Sequence, residues 1–150
     1  YYTFLSCNEI SAIETQDKEN KGKPRAQLIL AEQMTRFVHG EEGLASAERI
    51  TQALFSGNVQ LLSLNELKQL ELDGLPSMQS AEQDLVKLLV ESSLTNSKRI
   101  ARELIGSNAI SVNGDKVDAE NPNLNYPLFD QYWLLQRGKK HFCLVRRIVD

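Results

Sequence analysis

Residues 94–117 read LTNSKRIARELIGSNAISVNGDKV, and this order of parts is the most specific pattern in the sequence. Polar residues at 95–97 precede apolar residues at helical spacing, which predicts an amphipathic helix with a polar N-cap. A break at 106–108 is followed by a short apolar strand at 109–112. The pair Asn113-Gly114 then predicts a tight hairpin, because both central residues of a type I′ turn need positive φ.

Three cations lie on the side of this helix opposite its apolar residues, namely Lys98, Arg99 and Arg102. They lie near a helix N-terminus, whose free N–H groups and dipole favour an anion. With Ser97, they predict a binding site for phosphate. The alternative is that these cations form an ordinary solvated face of a small α+β domain. This segment alone does not distinguish a phosphate-binding site from such a face.

The bulk composition is that of a globular protein. A chain of 150 residues with 41% hydrophobic content fits one ordinary domain or two small ones. No apolar run approaches the roughly eighteen residues of a membrane span and the first residues have no signal character, so we predict a cytosolic protein. The start without a Met is interpreted as that of an excised C-terminal piece. Cys7 and Cys143 are expected to be free thiols, without a metal site.

Charge divides the chain unevenly. Residues 1–82 hold 7 Lys/Arg against 12 Asp/Glu, whereas residues 83–150 hold 10 against 8. The asymmetry predicts a nucleic-acid-facing C-terminal half on an acidic support. Two predicted strands near the C-terminus are joined by a basic turn, which adds a second cationic patch made of Arg137, Lys139 and Lys140.

Residues 1–57 predict a small helical bundle. A capping-box pattern at Ser6 begins the first helix, Pro24 lies at the first turn of the second, and Gly40 ends the second before a third. The second helix carries an apolar stripe that is expected to face a core. The stripe consists of Ala26, Leu30, Met34 and Phe37.

The rest of the chain divides into a linker and a second domain. Residues 58–80 are predicted to be a linker with an extended start and one short helix capped at Ser63. Residues 81–150 are predicted to form a domain that begins with a helix capped near Ser80. The expected fold class is α+β, a small helical bundle followed by a domain with a small antiparallel sheet.

Three aromatic residues in the second half are candidates for stacking on unpaired bases: Tyr126, Tyr132 and Trp133. An aromatic residue flanked by apolar neighbours in a strand more often belongs to the core. These residues are therefore left outside the predicted site.

The second domain resembles the αL RNA-binding fold shared with the ribosomal protein S-four. The residues that carry this resemblance are Ser97, Lys98, Ala101, Arg102, Ile105, the run NAISVNG at 108–114 and the strand and turn LLQRGKK at 134–140. The first half is similar to the helical anticodon-binding region of bacterial tyrosyl-tRNA synthetases, through KPRAQ at 23–27, LAEQ at 30–33, TR at 35–36 and VHGEEG at 38–43. In this order the resemblance spans essentially the whole chain.

The resemblance implies the C-terminal, tRNA-binding region of a tyrosine-tRNA ligase. Catalysis with ATP and Mg would belong to a domain preceding residue 1, since neither a HIGH-like nor a KMSKS-like signature occurs here. The fragment itself is expected to be inactive, with no catalytic residue, metal or cofactor of its own. The implied partner is tyrosine tRNA, through its anticodon arm and long variable arm. Neither DNA nor a membrane is expected, and the parent enzyme would be a homodimer.

Carried over to matching positions, the resemblance implies RNA backbone contacts by Ser97, Lys98 and Arg102, with Lys139 and Lys140 as a second patch. Ile100 and Glu103 depart from the family pattern and leave the helix less cationic than expected. Arg99 is interpreted as partly compensating, and the C-terminal turn, which includes Arg137, as carrying more of the phosphate binding.

Two other functional classes stay open from the sequence. An S-four-like module of another RNA-modifying or ribosome-associated protein would explain residues 81–150 but leave the helical first half without a reason. A purely structural or protein-interaction module would make both cationic patches solvated faces.

Overall fold

The computed structural model describes residues 5–19, 22, 24–124 and 126–148. The helices are α1 (Cys7–Glu19), α2 (Arg25–Ser56), α3 (Leu64–Leu72), α4 (Leu85–Glu91) and α5 (Lys98–Gly106). The strands are β1 (Ser77–Ser80), β2 (Ile110–Val112), β3 (Asp115–Lys116), β4 (Tyr132–Arg137) and β5 (His141–Arg147). Two compact units divide after Glu48, whereas the sequence predicts boundaries at 57/58 and 80/81.

Helix α1 in the first unit begins with the predicted reciprocal cap. The Ser6 N–H donates to Glu9 Oε2 at 2.8 Å, and the Glu9 N–H donates to Ser6 Oγ at 3.3 Å. The Asp17 carboxylate accepts from the N–H groups of Arg25 and Ala26 at 2.7 and 2.9 Å. Asp17 thus satisfies two of the donors that the start of α2 leaves without a helical partner.

Helix α2 is kinked at Gly40, which has φ 72° and ψ −175° inside an otherwise helical run. The kink falls where the sequence predicts a stop. The predicted core stripe is wrong for this unit, because Leu30 is 43% and Phe37 66% exposed. Helical periodicity identifies the apolar side of a helix, but it does not say what covers that side.

The second unit is built on a five-stranded sheet in the order β1-β5-β4-β2-β3. Strands β5, β4, β2 and β3 pair antiparallel, which confirms the predicted small antiparallel sheet. Strand β1, which the sequence analysis missed, adds to β5 in parallel. Its sequence SMQS lacks the apolar alternation that indicates a half-buried strand.

Both faces of this sheet are covered. One face packs against α4 and α5, with Trp133, Leu135 and Val145 of the sheet in the same cluster as Leu88 and Ile105 of the helices. The other face packs against the end of α2 and the segment 59–70. Its buried cluster contains Ile50, Ala53, Val59, Leu62, Leu67, Leu70, Tyr132, Leu134 and Leu144. Residues 59–70, within the segment predicted to be a linker, therefore supply four of the nine buried residues of this cluster.

Of the two capping predictions for this unit, the one for α3 is confirmed and the one for α4 is wrong. Ser63 and Glu66 form the predicted capping box of α3. Residues 59–61 form a 3-10 turn rather than an extended segment. The cap of α4 is Asp84, whose side chain accepts from the N–H groups of Val86 and Lys87. Ser80 instead ends β1 and donates to Glu91 Oε2 at 3.0 Å, so pairing with β5 keeps it out of the helix.

The end of α2 touches the β2–β3 turn backbone to backbone. Asn113 and Gly114 have φ of 53° and 89°, as the predicted type I′ turn requires. Gly57 follows α2 at φ 80°. A Cβ placed on Gly114 would lie 1.7 Å from the carbonyl oxygen of Gly57. The contact therefore depends on glycine at position 114.

Candidate nucleic-acid interface

Helix α5 is buried on one side and exposes its cations to solvent on the other. Ser97, one of the three polar residues at 95–97 predicted to supply the cap, caps the helix, with its Oγ accepting from the Ile100 N–H at 3.3 Å. Ala101 and Ile105 are buried at 0% and 2% exposure, whereas the side chains predicted to bind phosphate are exposed. Those exposed residues are Lys98, Arg99 and Arg102. Packing on one side of α5 thus fixes the direction of the charges on the other.

The two departures from the expected family pattern differ in their exposure on α5. Ile100 is half-buried and Glu103 is exposed. Glu103 follows Arg99 by four residues, so one carboxylate faces a predominantly cationic surface at helical spacing. The exposed charge of α5 is therefore smaller than its three cations alone suggest.

The β4–β5 turn carries the second cationic patch. Lys139 and Lys140 are exposed at its tip. Gly138 has φ 60°, and its N–H donates to the carbonyl oxygen of Ala109 at 2.8 Å. Ala109 lies just after α5, so the turn is anchored to the C-terminal side of that helix.

Arg137 links the same turn to the other side of α5. Its guanidinium donates to the carbonyl oxygen of Leu94 at 2.6 Å, and the side chain is half-buried. Leu94 precedes the cap Ser97 by three residues. The structure therefore places the two predicted patches on adjacent segments, with Arg137 between them and partly engaged in holding them together. An RNA contact by Arg137 stays a prediction.

Asn113 has a role that sequence reasoning missed. It is 3% exposed, its Nδ2 donates to the carbonyl oxygen of Tyr126 at 2.9 Å, and its Oδ1 accepts from the Leu134 N–H at 2.9 Å. It thereby fixes the loop between β3 and β4 to the sheet. Its sequence context indicates only a turn, because both partners are distant along the chain.

The three candidate aromatic residues separate clearly. Tyr132 and Trp133 are 1% and 4% exposed, which confirms their interpretation as core residues. Tyr126 is 95% exposed. The local sequence marks this difference, because Tyr126 stands in the polar run NLNYP at 123–127, whereas Tyr132 and Trp133 belong to the apolar strand run YWLL at 132–135.

Within the described ranges, no three His, Cys, Asp or Glu side chains lie close enough together to hold a metal ion. No helix in that part of the chain is both long and apolar enough to cross a membrane. Both cysteines are free, Cys7 exposed and Cys143 buried. Burial raises the pKa of the Cys143 thiol to about 11, so it is a poor nucleophile near neutral pH. The chemistry that the α5 and β4–β5 surface supports is electrostatic binding of a polyanion.

Comparison with known proteins finds one family and several similar proteins. The family model of the tyrosine-tRNA ligase SYY-like C-terminal domain matches residues 66–145. Tyrosine-tRNA ligase 1 of Vibrio parahaemolyticus is 78% identical over 147 residues, which are 98% of this chain and 35% of that protein. Tyrosine-tRNA ligase 1 of Pseudoalteromonas translucida is 57% identical over 148 residues, covering 97% of this chain and 35% of that protein. The chain thus spans 35% of the length of each of these relatives.

A solved structure is also similar to part of the chain. The solution structure of a tyrosyl-tRNA synthetase C-terminal domain has 36% sequence identity and a TM-score of 0.47, and it covers 64% of this chain and 100% of that one.

Proposed function

Since this chain belongs to the tyrosine-tRNA ligase family, as the C-terminal domain of such a ligase, we propose that it binds tyrosine tRNA for aminoacylation by a catalytic domain elsewhere in the enzyme. The observation that carries the proposal is the pairing of two exposed cationic patches through Arg137 and Leu94. The 78% identity over 98% of the chain favours this role over an S-four-like module of another protein, because it includes the helical first half.

The proposed mechanism is recognition of RNA shape. A-form RNA keeps its base edges in a deep, narrow groove, so a protein that binds its arms must use phosphates, 2′-hydroxyls and overall form. The lysine and arginine side chains can neutralise phosphates because they are already exposed in the free protein. Ser97 and the start of α5 add backbone N–H donors with the same preference for anions.

The finer parts of the proposal concern the whole enzyme. The S-four-like domain would hold the anticodon arm and the long variable arm of the tRNA, while ATP and Mg would be used by the catalytic domain. Neither DNA nor a membrane is a proposed partner. The proposed enzyme is a cytoplasmic homodimer, and this fragment alone would lack ligase activity.

Salt dependence of tRNA binding tests the proposed RNA surface. If about four or five phosphates are neutralised, log affinity should fall with log salt at a slope of about −3 to −4.5. Replacing Lys98→Ala together with Arg102→Ala removes two of these contacts and should flatten the slope by about 1.4–1.8. The measurement is filter binding of a tyrosine tRNA transcript at several salt concentrations.

The matched control keeps both charges by exchanging them, with Lys98→Arg and Arg102→Lys, and should retain the slope of the unsubstituted chain. An unchanged slope in the double alanine variant would reject α5 as the RNA face. A second transcript lacking the long variable arm tests the arm itself. Binding that does not weaken with this transcript would contradict the proposed arm recognition.

A further inference from the structure

A cavity of about 1110 Å3 opens at the end of the sheet beside the β3–β4 loop. The residues that line it include Gln60, Asn113, Tyr126, Phe129, Trp133 and Arg147. Ligand pockets typically measure about 300–1,000 Å3, so a cavity of this size has room for a base with its ribose. All of these residues belong to the compact unit that begins at Arg49.

The aromatic residues at this cavity are held toward solvent. Tyr126 is 95% and Phe129 47% exposed. The buried Asn113 holds the Tyr126 backbone, because its Nδ2 donates to the Tyr126 carbonyl oxygen at 2.9 Å. Phe129 has φ of 52°, a region that costs energy for a bulky side chain. Strained backbone of this kind persists where the surrounding structure fixes it, and it concentrates at functional sites.

The loop has its own fixed framework. The Leu128 N–H donates to the Tyr132 carbonyl oxygen at 2.7 Å, and the Tyr132 N–H donates to the Leu128 carbonyl oxygen at 3.0 Å. This closed pair forces the tight turn that contains Phe129. The exposed rings are therefore presented by a braced loop next to a cavity.

The charges of the lining select among ligands. Among the described residues that line the cavity, Asp115 and Arg147 carry charge, and their formal charges cancel. A balanced lining is a poor site for an isolated phosphate. The amide side chains of Gln60, Gln83 and Asn123 line the same cavity. Aromatic faces with amide donors and acceptors suit an uncharged planar group with polar edges, which is the chemistry of a nucleobase.

We propose that this cavity binds an unpaired base of the bound RNA, stacked on Tyr126 and read at its edge by the lining amides. The proposal rests on the proposed function only in taking RNA as the ligand. The cavity lies at the Tyr132 end of β4, and the Lys139–Lys140 turn follows its Arg137 end. Six strand residues span about 20 Å, so the two sites would contact different nucleotides of one RNA.

The test uses the one tryptophan of the chain, Trp133, which lines the cavity and serves as an intrinsic fluorescent probe. The 150-residue chain is titrated with tyrosine tRNA and, separately, with a single-stranded heptaribonucleotide of mixed sequence. Both ligands should quench Trp133. Tyr126→Ala should weaken tRNA binding by about 5- to 150-fold, the range measured for loss of one stacked base. It should also reduce the quenching while leaving the salt slope unchanged.

Two variants serve as controls. Tyr126→Phe keeps the ring and should bind like the unsubstituted chain. Phe55→Ala removes another exposed aromatic residue, 74% exposed on α2 and outside the cavity lining, and should also have no effect. Because Tyr126 is almost fully exposed, its removal is not expected to unfold the protein, and circular dichroism checks this.

The outcomes separate the two proposals. Salt-dependent tRNA binding that is indifferent to Tyr126→Ala, with no change in Trp133 emission, overturns the base site and leaves the proposed function standing. Quenching by the heptaribonucleotide that depends on Tyr126, in a chain that does not bind tRNA, supports the base site and contradicts the proposed function.

Discussion

Gly114 is held at φ 89° in the β2–β3 turn, directly against the carbonyl oxygen of Gly57. Two properties of glycine are used here, its freedom at positive φ and its lack of a side chain. Gly74 offers a comparison, because it has nearly the same φ of 91° but no heavy atom within 4 Å of a Cβ built on it. The pair therefore separates backbone strain from the loss of a close contact.

Gly114→Ala should destabilise the protein more than Gly74→Ala. Both variants incur the cost of an L-residue at positive φ, about 1–2 kcal/mol. Gly114→Ala must also displace Gly57, and overpacking of this kind adds about 1–3 kcal/mol. Urea unfolding of the three proteins measures the difference. Equal midpoints for the two variants would contradict the expected cost of displacing Gly57.

Asn113 shows which properties of a residue can be predicted from its neighbours in the sequence. The sequence predicts its positive φ, because that property depends on its immediate neighbours. Its side chain joins partners 13 and 21 residues away. No local pattern contains that information.

At the scale of elements, helix α3 is the one whose existence was predicted and whose role was not. Glu66, which is 8% exposed, closes its capping box, and Oε2 accepts from the N–H and Oγ of Ser63, both at 2.9 Å. Its Oε1 also accepts from Arg49 Nε at 2.9 Å. The Ser63 backbone hydrogen bond lowers the pKa of Glu66 below its ordinary value of 4.5, against the opposing effect of burial. The network joins α3 to the end of α2.

Stability should therefore depend on Glu66 at acid pH. Because its folded pKa is lowered, its contribution is complete above the unfolded value of 4.5 and is lost as pH falls through the folded pKa. Glu66→Gln should cost about 1–2 kcal/mol at pH 7, the worth of a cap and its hydrogen bonds. It should also reduce the fall in stability below pH 4.5.

Thermal unfolding at several pH values from neutral to about pH 3 measures this. The control is Glu71→Gln, on the same helix and outside the Ser63 and Arg49 network, which should leave the acid limb nearly unchanged. If both variants lose stability in parallel at every pH, the Glu66 network is not the origin of the effect.

At the scale of the whole molecule, the unit that begins at Arg49 should fold without the residues before it. A fragment of residues 49–150 keeps both faces of the sheet covered. A fragment of residues 81–150, the domain predicted from the sequence, loses β1 and the cover of one face. The lost buried aliphatic residues are Ile50, Val59, Leu62, Leu67 and Leu70.

Burial of each such side chain contributes about 1.5–3 kcal/mol. Their combined loss is comparable with the roughly 5–15 kcal/mol of a typical domain. We therefore expect a single cooperative thermal transition for 49–150 and none for 81–150, measured by circular dichroism. A cooperative transition of similar midpoint in the shorter fragment would contradict the assignment of residues 59–70 to the core.

The sequence by itself determined the features that depend on a few neighbouring residues. These are the caps at Ser63 and Ser97, the Asn113-Gly114 turn, the β4–β5 hairpin and the positions of the cations. Tertiary structure alone decided the parallel pairing of β1, the second covered face of the sheet and the Arg137 link between the cationic patches. Each of these depends on contacts between residues far apart in the chain, and local propensity and periodicity do not encode such contacts.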